Sequence, residues 1–169
     1  RVTDGELKAP DVGFIDGPSP VSGDPYRALD DVQRDYMRLI YAGLVRHDGT
    51  LTAVPDIAVA IPELGSGISE DGLRLEYEIR SDLTWHDGVP VTGEDVAATW
   101  RYLTAPSVVP RGRPFPGFDL IESVSASGQM VTITLSSPFG AGPESFFPFV
   151  LPAHLVDPSL SSPNADLWD

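Results

Sequence analysis

Between Thr84 and Trp100 the sequence reads "TWHDGVPVTGEDVAATW", which places His86, Asp87, Glu94 and Asp95 within ten positions. An imidazole beside carboxylates is the material of general acid–base catalysis and of metal ligation, so chemistry is sought here first. A zinc site asks for histidines at i, i+4 or for a tight His/Cys cluster. His47, His86 and His154 stand far apart and the chain has no cysteine, which removes thiolate metal sites, disulfides and cysteine nucleophiles together. No Gly-x-Ser-x-Gly elbow supplies a serine nucleophile. Among 25 acidic residues no pair is marked out for glycoside chemistry. His-Asp-Gly occurs twice, in "VRHDGTL" and "TWHDGVP", and a His/Asp site drawn from both copies is geometrically open. Asp-Gly between apolar-flanked extended segments is first a hairpin signal, however, because a type I′ turn takes φ > 0 at both central residues.

The stretch resolves into two structural devices. Residues up to Trp85 form a strand that turns at Asp87-Gly88 and returns along Val89 to Val91. Thr92 then stands three residues before Asp95, the capping-box spacing, and Val96, Trp100 and Leu103 follow at helical intervals until Ala105-Pro106 stops the run. Glu94 and Asp95 fall in the first turn, where carboxylates complement the helix dipole. Asp87, Gly88, Thr92 and Asp95 are therefore expected as turn and cap, with no catalytic residue and no metal ligand assigned.

The elements around them follow from periodicity. Val32, Tyr36, Leu39 and Ile40 recur as one helical stripe, opened by Asp30 and Asp31 and closed by Gly43, with Arg34 and Arg38 spaced for ion pairs on a solvated outer face. "LRLEYEIR", residues 73 to 80, alternates strictly and predicts a half-buried strand. The "LGSG" ahead of it lacks the lysine of a phosphate loop and the third glycine of a dinucleotide fingerprint. "IESVSASGQMVTITL" predicts a hairpin turning at Ser127-Gly128. "APSVVPRGRPFPGF" is too rich in proline for a continuous element and reads as an extended surface loop anchored by Phe115 and Phe118. The first 25 residues hold a short strand, "VGFI", and a run of breakers.

Composition sets the outer bounds. A chain of 169 residues suffices for one core without a disulfide or metal staple. A net charge of −14 repels phosphate backbones and anionic headgroups, which argues against nucleic-acid partners. The longest uncharged apolar run, "SFFPFVLPAHLV", is too short to span a bilayer and is broken by Pro148 and Pro152. The sequence opens at Arg1 with neither an initiator methionine nor a signal peptide, and is expected to be processed or a cut piece of a longer protein.

It is the order of segments that carries a resemblance. "YAGLVRHDG", "TAVPDIA", "ISEDGLRLEYEIRSDLTWHDGVPVTGEDVAATW", "IESVSASGQMVTITLSSP" and "LPAHLV" together resemble the N-terminal third of the family 5 extracellular solute-binding proteins. Those are peptide, oligopeptide and nickel receptors of ABC importers. The resemblance runs from about Asp24 to Leu155 and departs at Ala42, Ile57 and Gly93, where the family usually has Glu, Leu and Ala. It implies an α+β fold, a mostly antiparallel sheet with packed helices, as the lobe I subdomain of a type II periplasmic-binding-protein-like fold. Residues 1–30 would be the first strand and edge of lobe I, residues 31–169 the inserted subdomain, and the second lobe lies outside this chain. The implied protein is a monomer outside the cytoplasm that binds a peptide or other small solute and meets an ABC permease. It is not an enzyme and needs no cofactor. Ser19, Tyr26, Leu29 and Asp31 fall near the family's cleft-facing stretch and are the ligand-binding candidates. The competing reading is a free-standing structural or protein-interaction module.

Overall fold

The computed structural model describes residues 24–27, 31–106 and 114–156, with the side chains at 27, 31–33 and 35 outside that set. In chain order the elements are helix α1 (Asp31–Ile40), strands β1 (Val45–His47), β2 (Ala53–Pro55), β3 (Glu63–Leu64), β4 (Gly67–Ile68) and β5 (Arg74–Glu78), helix α2 (Gly93–Thr104), and strands β6 (Ile121–Ser127) and β7 (Met130–Leu135). β1 and β2 form an antiparallel pair, and the other strands form a five-stranded sheet ordered β3-β4-β5-β7-β6. Only its β3/β4 edge is parallel.

Alternation builds the sheet. Leu75 and Tyr77 of β5, and Ile79 just beyond it, point into the core while Arg74 and Glu78 face water. Register places Leu75 opposite Ile133 and Tyr77 opposite Val131, and Val124 of β6 meets Ile133 from the other side. Helix α2 lies across β6 and β7 and buries Val96, Ala97 and Leu103 there. Full burial of valine and leucine side chains is worth about 1.5–3 kcal/mol each, so this layered contact is a substantial stabilising contribution.

The predicted turns exist, but in other registers. The β6–β7 corner is Gly128-Gln129 rather than Ser127-Gly128: Ser127 pairs with Met130, and Gly128 has φ 58. A glycine with positive φ in the first central position is the type II′ arrangement. At the second His-Asp-Gly, Gly88 N–H donates to Trp85 O (2.9 Å) and Trp85 N–H to Val89 O (2.8 Å). Gly88 has φ 86 while Asp87 does not take a positive φ, so the loop is a type I turn closed by a left-handed residue, not type I′. At the first copy Leu51 N–H donates to Asp48 O and Asp48 N–H to Thr52 O, both at 3.0 Å, and the left-handed residue is Leu51 itself, φ 63. The same tripeptide thus occupies two different registers of one kind of loop.

Both helices form, with shifted faces. In α2, Val96 and Leu103 are buried as the stripe requires, but Trp100 is half-buried and Tyr102 is the aromatic in the core. Among the described side chains of α1 the buried one is Met37; Leu39 and Ile40, expected inside, are 76% and 52% exposed, and the side chain of Val32 lies outside the described set. Phe115 and Phe118 do anchor the proline-rich run, edge to face at 5.4 Å, with Phe115 packed on Phe147 at 5.0 Å; residues 107–113 of that run lie outside the described set.

Candidate functional site

Polar side chains of α2 converge on the segment from Phe149 to Val156. The Asp95 carboxylate, buried at the first turn, accepts the Thr92 N–H at Oδ2 (2.7 Å) and the Ala153 N–H at Oδ1 (2.7 Å). The Thr92 side chain faces the Asp95 N–H in the capping box without a close hydrogen bond of its own, so the carboxylate is the stronger half of the box. One turn later Thr99 Oγ1 donates to Asp95 O (2.7 Å) and accepts the Leu151 N–H (2.8 Å). Another turn on, Tyr102 donates its hydroxyl to Asp24 Oδ2 (2.5 Å). Positions 95, 99 and 102 share one helix face, and that face is wired to backbone on one side and to residue 24 on the other.

Asp24 begins the described chain and is fully buried. Its Oδ1 accepts the Tyr26 N–H at 2.9 Å. Tyr26 donates its hydroxyl to Phe149 O, and the two rings meet edge to face at 5.9 Å. Val150 N–H donates to Ala42 O (2.8 Å) and Leu44 N–H to Phe147 O (3.1 Å). Burial, reinforced by the Asp24 charge, pushes the Tyr41 phenol up to about 12. Burial raises Tyr26 too, against the lowering effect of its bond to Phe149. Both phenols stay protonated at any ordinary pH. Asp24–Tyr26 and the residues just after α1 therefore both meet the Phe147–Val150 segment, which then runs along α2 from Thr99 to Asp95.

The four residues that opened the search do not come together as one site. His86 is exposed on its loop. Asp87 Oδ2 lies 2.6 Å from His154 Nε2, and since an ionised carboxylate only accepts, the imidazole N–H donates. That bond, with a second from the Val89 N–H at 3.1 Å, holds the Asp87 carboxyl below the usual range. Glu94 pairs with Arg101 on the outer face of α2. Asp95 is the buried cap. The two His-Asp-Gly loops do not combine: Asp48 is engaged by its own turn, accepting the Thr50 hydroxyl at 2.7 Å and the Thr50 and Thr52 N–H groups at 2.8 and 3.0 Å.

Of the ligand-binding candidates, Ser19 and Leu29 lie outside the described residues, and Asp31 opens α1 with its side chain outside them. Tyr26 is 7% exposed with its hydroxyl on the Phe149 carbonyl, which makes it an anchor of backbone in this body. Asp24, Thr99, Tyr102 and His154 were not singled out from the sequence. Asp24-Pro25 signals only a turn, but Asp95 and Thr99, polar residues four apart on a helix flanked by buried positions, are a readable sign of a buried polar contact.

Residues 52–168, more than half of the chain, match the family model described as "Bacterial extracellular solute-binding proteins, family 5 Middle". The chain belongs to family 5 of the bacterial extracellular solute-binding proteins. The chain is similar to the probable monoacyl phosphatidylinositol tetramannoside-binding protein LpqW of Mycobacterium tuberculosis, 34% identical over 85 residues that cover 48% of this chain and 13% of the relative. The periplasmic murein peptide-binding protein MppA of Escherichia coli is 26% identical over 106 residues, 63% of this chain and 18% of MppA. The crystal structure of NikZ from Campylobacter jejuni in complex with Ni(L-His) superposes with a TM-score of 0.68 at 28% identity, covering 82% of this chain and 26% of NikZ. The family 5 chain thus spans about a quarter or less of the length of these proteins. Their solutes differ as named, a monoacyl phosphatidylinositol tetramannoside, a murein peptide and a nickel–histidine complex.

Proposed function

We propose that the chain is part of the solute-binding receptor of an ABC importer, acting outside the cytoplasm as a monomer and carrying a peptide or a related small solute to a membrane permease. Residues 1–30 then edge lobe I, and residues 31–169 form the subdomain inserted into it. The observation that carries this reading is the family match over residues 52–168. The relatives are binding proteins, which favours binding without catalysis; the family description and the periplasmic MppA favour the extracytoplasmic location. A free-standing module has no comparable support.

In this reading the segment from Ser19 to Asp31 borders the cleft. Tyr26 serves it by fixing the backbone, and Ser19, Leu29 and Asp31 are the side chains offered to solute. The test is native mass spectrometry of the full-length receptor purified without added ligand. A discrete co-purified mass that exchanges for added peptide supports the reading, whereas a protein that carries and takes up no solute overturns it.

A further inference from the structure

Residues 151 to 156, "LPAHLV", belong to no helix or strand. With no ladder to hold them, their backbone donors turn to side chains and to one local turn. Leu151 N–H donates to Thr99 Oγ1 (2.8 Å), Ala153 N–H to Asp95 Oδ1 (2.7 Å), and the Leu155 and Val156 N–H groups both to Pro152 O (3.0 and 3.1 Å). Leu151 and Val156 are buried at either end, while His154 and Leu155 between them face water. The exposed part of the turn is gripped by a residue from another element: His154 Nε2 donates to Asp87 Oδ2 at 2.6 Å, across 67 positions of sequence.

The two His-Asp-Gly loops differ in this respect. In the first, the Asp48 carboxylate is used inside its own loop, by the Thr50 hydroxyl and the Thr50 and Thr52 N–H groups. In the second, Asp87 Oδ1 alone serves the turn, accepting the Val89 N–H at 3.1 Å, and Oδ2 is left for His154. Turn geometry therefore uses half of this carboxylate, and the other half bonds a distant segment. We propose that Asp87 and His154 form an acid-sensitive clasp, which keeps the 152–156 turn closed on the first turn of α2 and loosens it when the carboxylate is protonated.

The charged groups facing the turn are Asp87 from the 84–90 loop, Asp95 from α2 and His154 itself; Glu94, beside Asp95, is turned outward to Arg101. A hydrogen bond to an ionised carboxylate is short and about twice as strong as a neutral one, and solvent at a half-exposed pair reduces that advantage. The bond from His154, and after it that from the Val89 N–H, holds the Asp87 carboxyl below the usual range. A depressed carboxyl makes the clasp complete above the ordinary carboxylate range, and the hold is lost as pH falls through the depressed value.

The test is nuclear magnetic resonance of the 169-residue chain and of Asp87→Asn, His154→Ala and the double variant. Both side chains are partly exposed, 46% for Asp87 and 29% for His154, so the variants keep the fold. The expected result is a loss of about threefold in amide-exchange protection at Leu155 and Val156 in each single variant, the scale of a half-exposed pair, with no further loss in the double variant and none at Leu44 and Val150. In the unaltered chain the same two amides lose protection relative to Leu44 and Val150 below about pH 4, and in His154→Ala they do not. Carbon-detected titration should show the Asp87 carboxyl moving up in His154→Ala while Asp48 and Asp71 stay in place. Unchanged protection in both single variants overturns the proposal. So do additive losses in the double variant, which give the two residues separate roles, and an Asp87 titration that ignores the loss of His154.

Discussion

Replacing Gly43 by alanine places a methyl group where backbone already stands. A Cβ built there comes within 2.6 Å of Pro148 O, 2.8 Å of Phe147 O and 2.8 Å of Pro148 C. None of these is the free end of a flexible side chain, so the two segments must part. Parting them strains the Leu44 N–H to Phe147 O bond (3.1 Å) and the Val150 N–H to Ala42 O bond (2.8 Å). It also disturbs Phe147, fully buried in a left-handed conformation with φ 49. Overpacking costs about 1–3 kcal/mol, and weakening buried backbone bonds adds about 1 kcal/mol, so a loss of about 2–4 kcal/mol is expected. Gly49→Ala is the control, since nothing lies within 4 Å of its Cβ. Urea unfolding followed by tryptophan fluorescence gives both values. A Gly43→Ala loss under about 0.5 kcal/mol, the range of ordinary surface changes, would refute the close approach of Gly43 to the Phe147–Pro148 backbone.

The remaining predictions concern the cap, a strained corner and acid. Asp95→Ala leaves the Thr92 and Ala153 N–H groups without their acceptor and should cost about 2–4 kcal/mol, against about 0.5–1 for Thr92→Ala, whose side chain makes the weaker half of the box; equal losses in urea melts would contradict the assignment. Leu51→Gly removes an 84% exposed side chain from a left-handed corner, and relief of about 1–2 kcal/mol of backbone strain less about 0.5–1 for glycine's entropy predicts net stabilisation; a lower urea midpoint would count against it. Asp48, Asp71, Asp82 and Asp87 are held below the usual carboxylate range first by hydrogen bonds from Thr50, Ser69, Arg80 and His154 respectively. A depressed folded value means the unfolded chain takes up protons first, so this stability is present above about pH 4 and is lost as pH falls through the depressed values. Thermal midpoints should therefore fall below about pH 4, and a midpoint that keeps rising in acid would show the bonds are not made.

The sheet and the cap were legible because their signals are local. Strict alternation in Leu75, Tyr77 and Ile79 admits one buried face, and Thr92-x-x-Asp95 fixes a helix start whatever surrounds it. Alternation does not locate a corner to better than one residue, which is why the hairpin turns at Gly128-Gln129. The two His-Asp-Gly copies look alike to sequence but place their left-handed residue at Gly88 and at Leu51, since hairpin register is set by the flanking strands. Helix faces failed where the partner is distant in sequence. Periodicity groups Leu39 and Ile40 with the core but cannot say which surface the helix meets, and Tyr102 displaced Trp100 because the buried Asp24 sits beside it. The polar node of Asp24, Asp95, Thr99 and Tyr102 joins residues up to 78 positions apart, and no local pattern encodes such a contact.

The proposed receptor function implies that this body holds solute only together with the rest of a two-lobed protein. Enclosed sites hide most of a ligand's surface and depend on a few placed polar groups. If the full-length receptor binds at about 1 μM, worth about −8 kcal/mol, a chain that keeps half of the contacts retains about −4 kcal/mol, which is millimolar. Isothermal titration of the 169-residue chain and of the full-length receptor, against the same peptide mixture and against nickel–histidine, measures this directly. The account predicts a micromolar or tighter dissociation constant for the full-length receptor with one of the two ligands and no better than millimolar for the chain; a dissociation constant near 1 μM for the chain alone would contradict it.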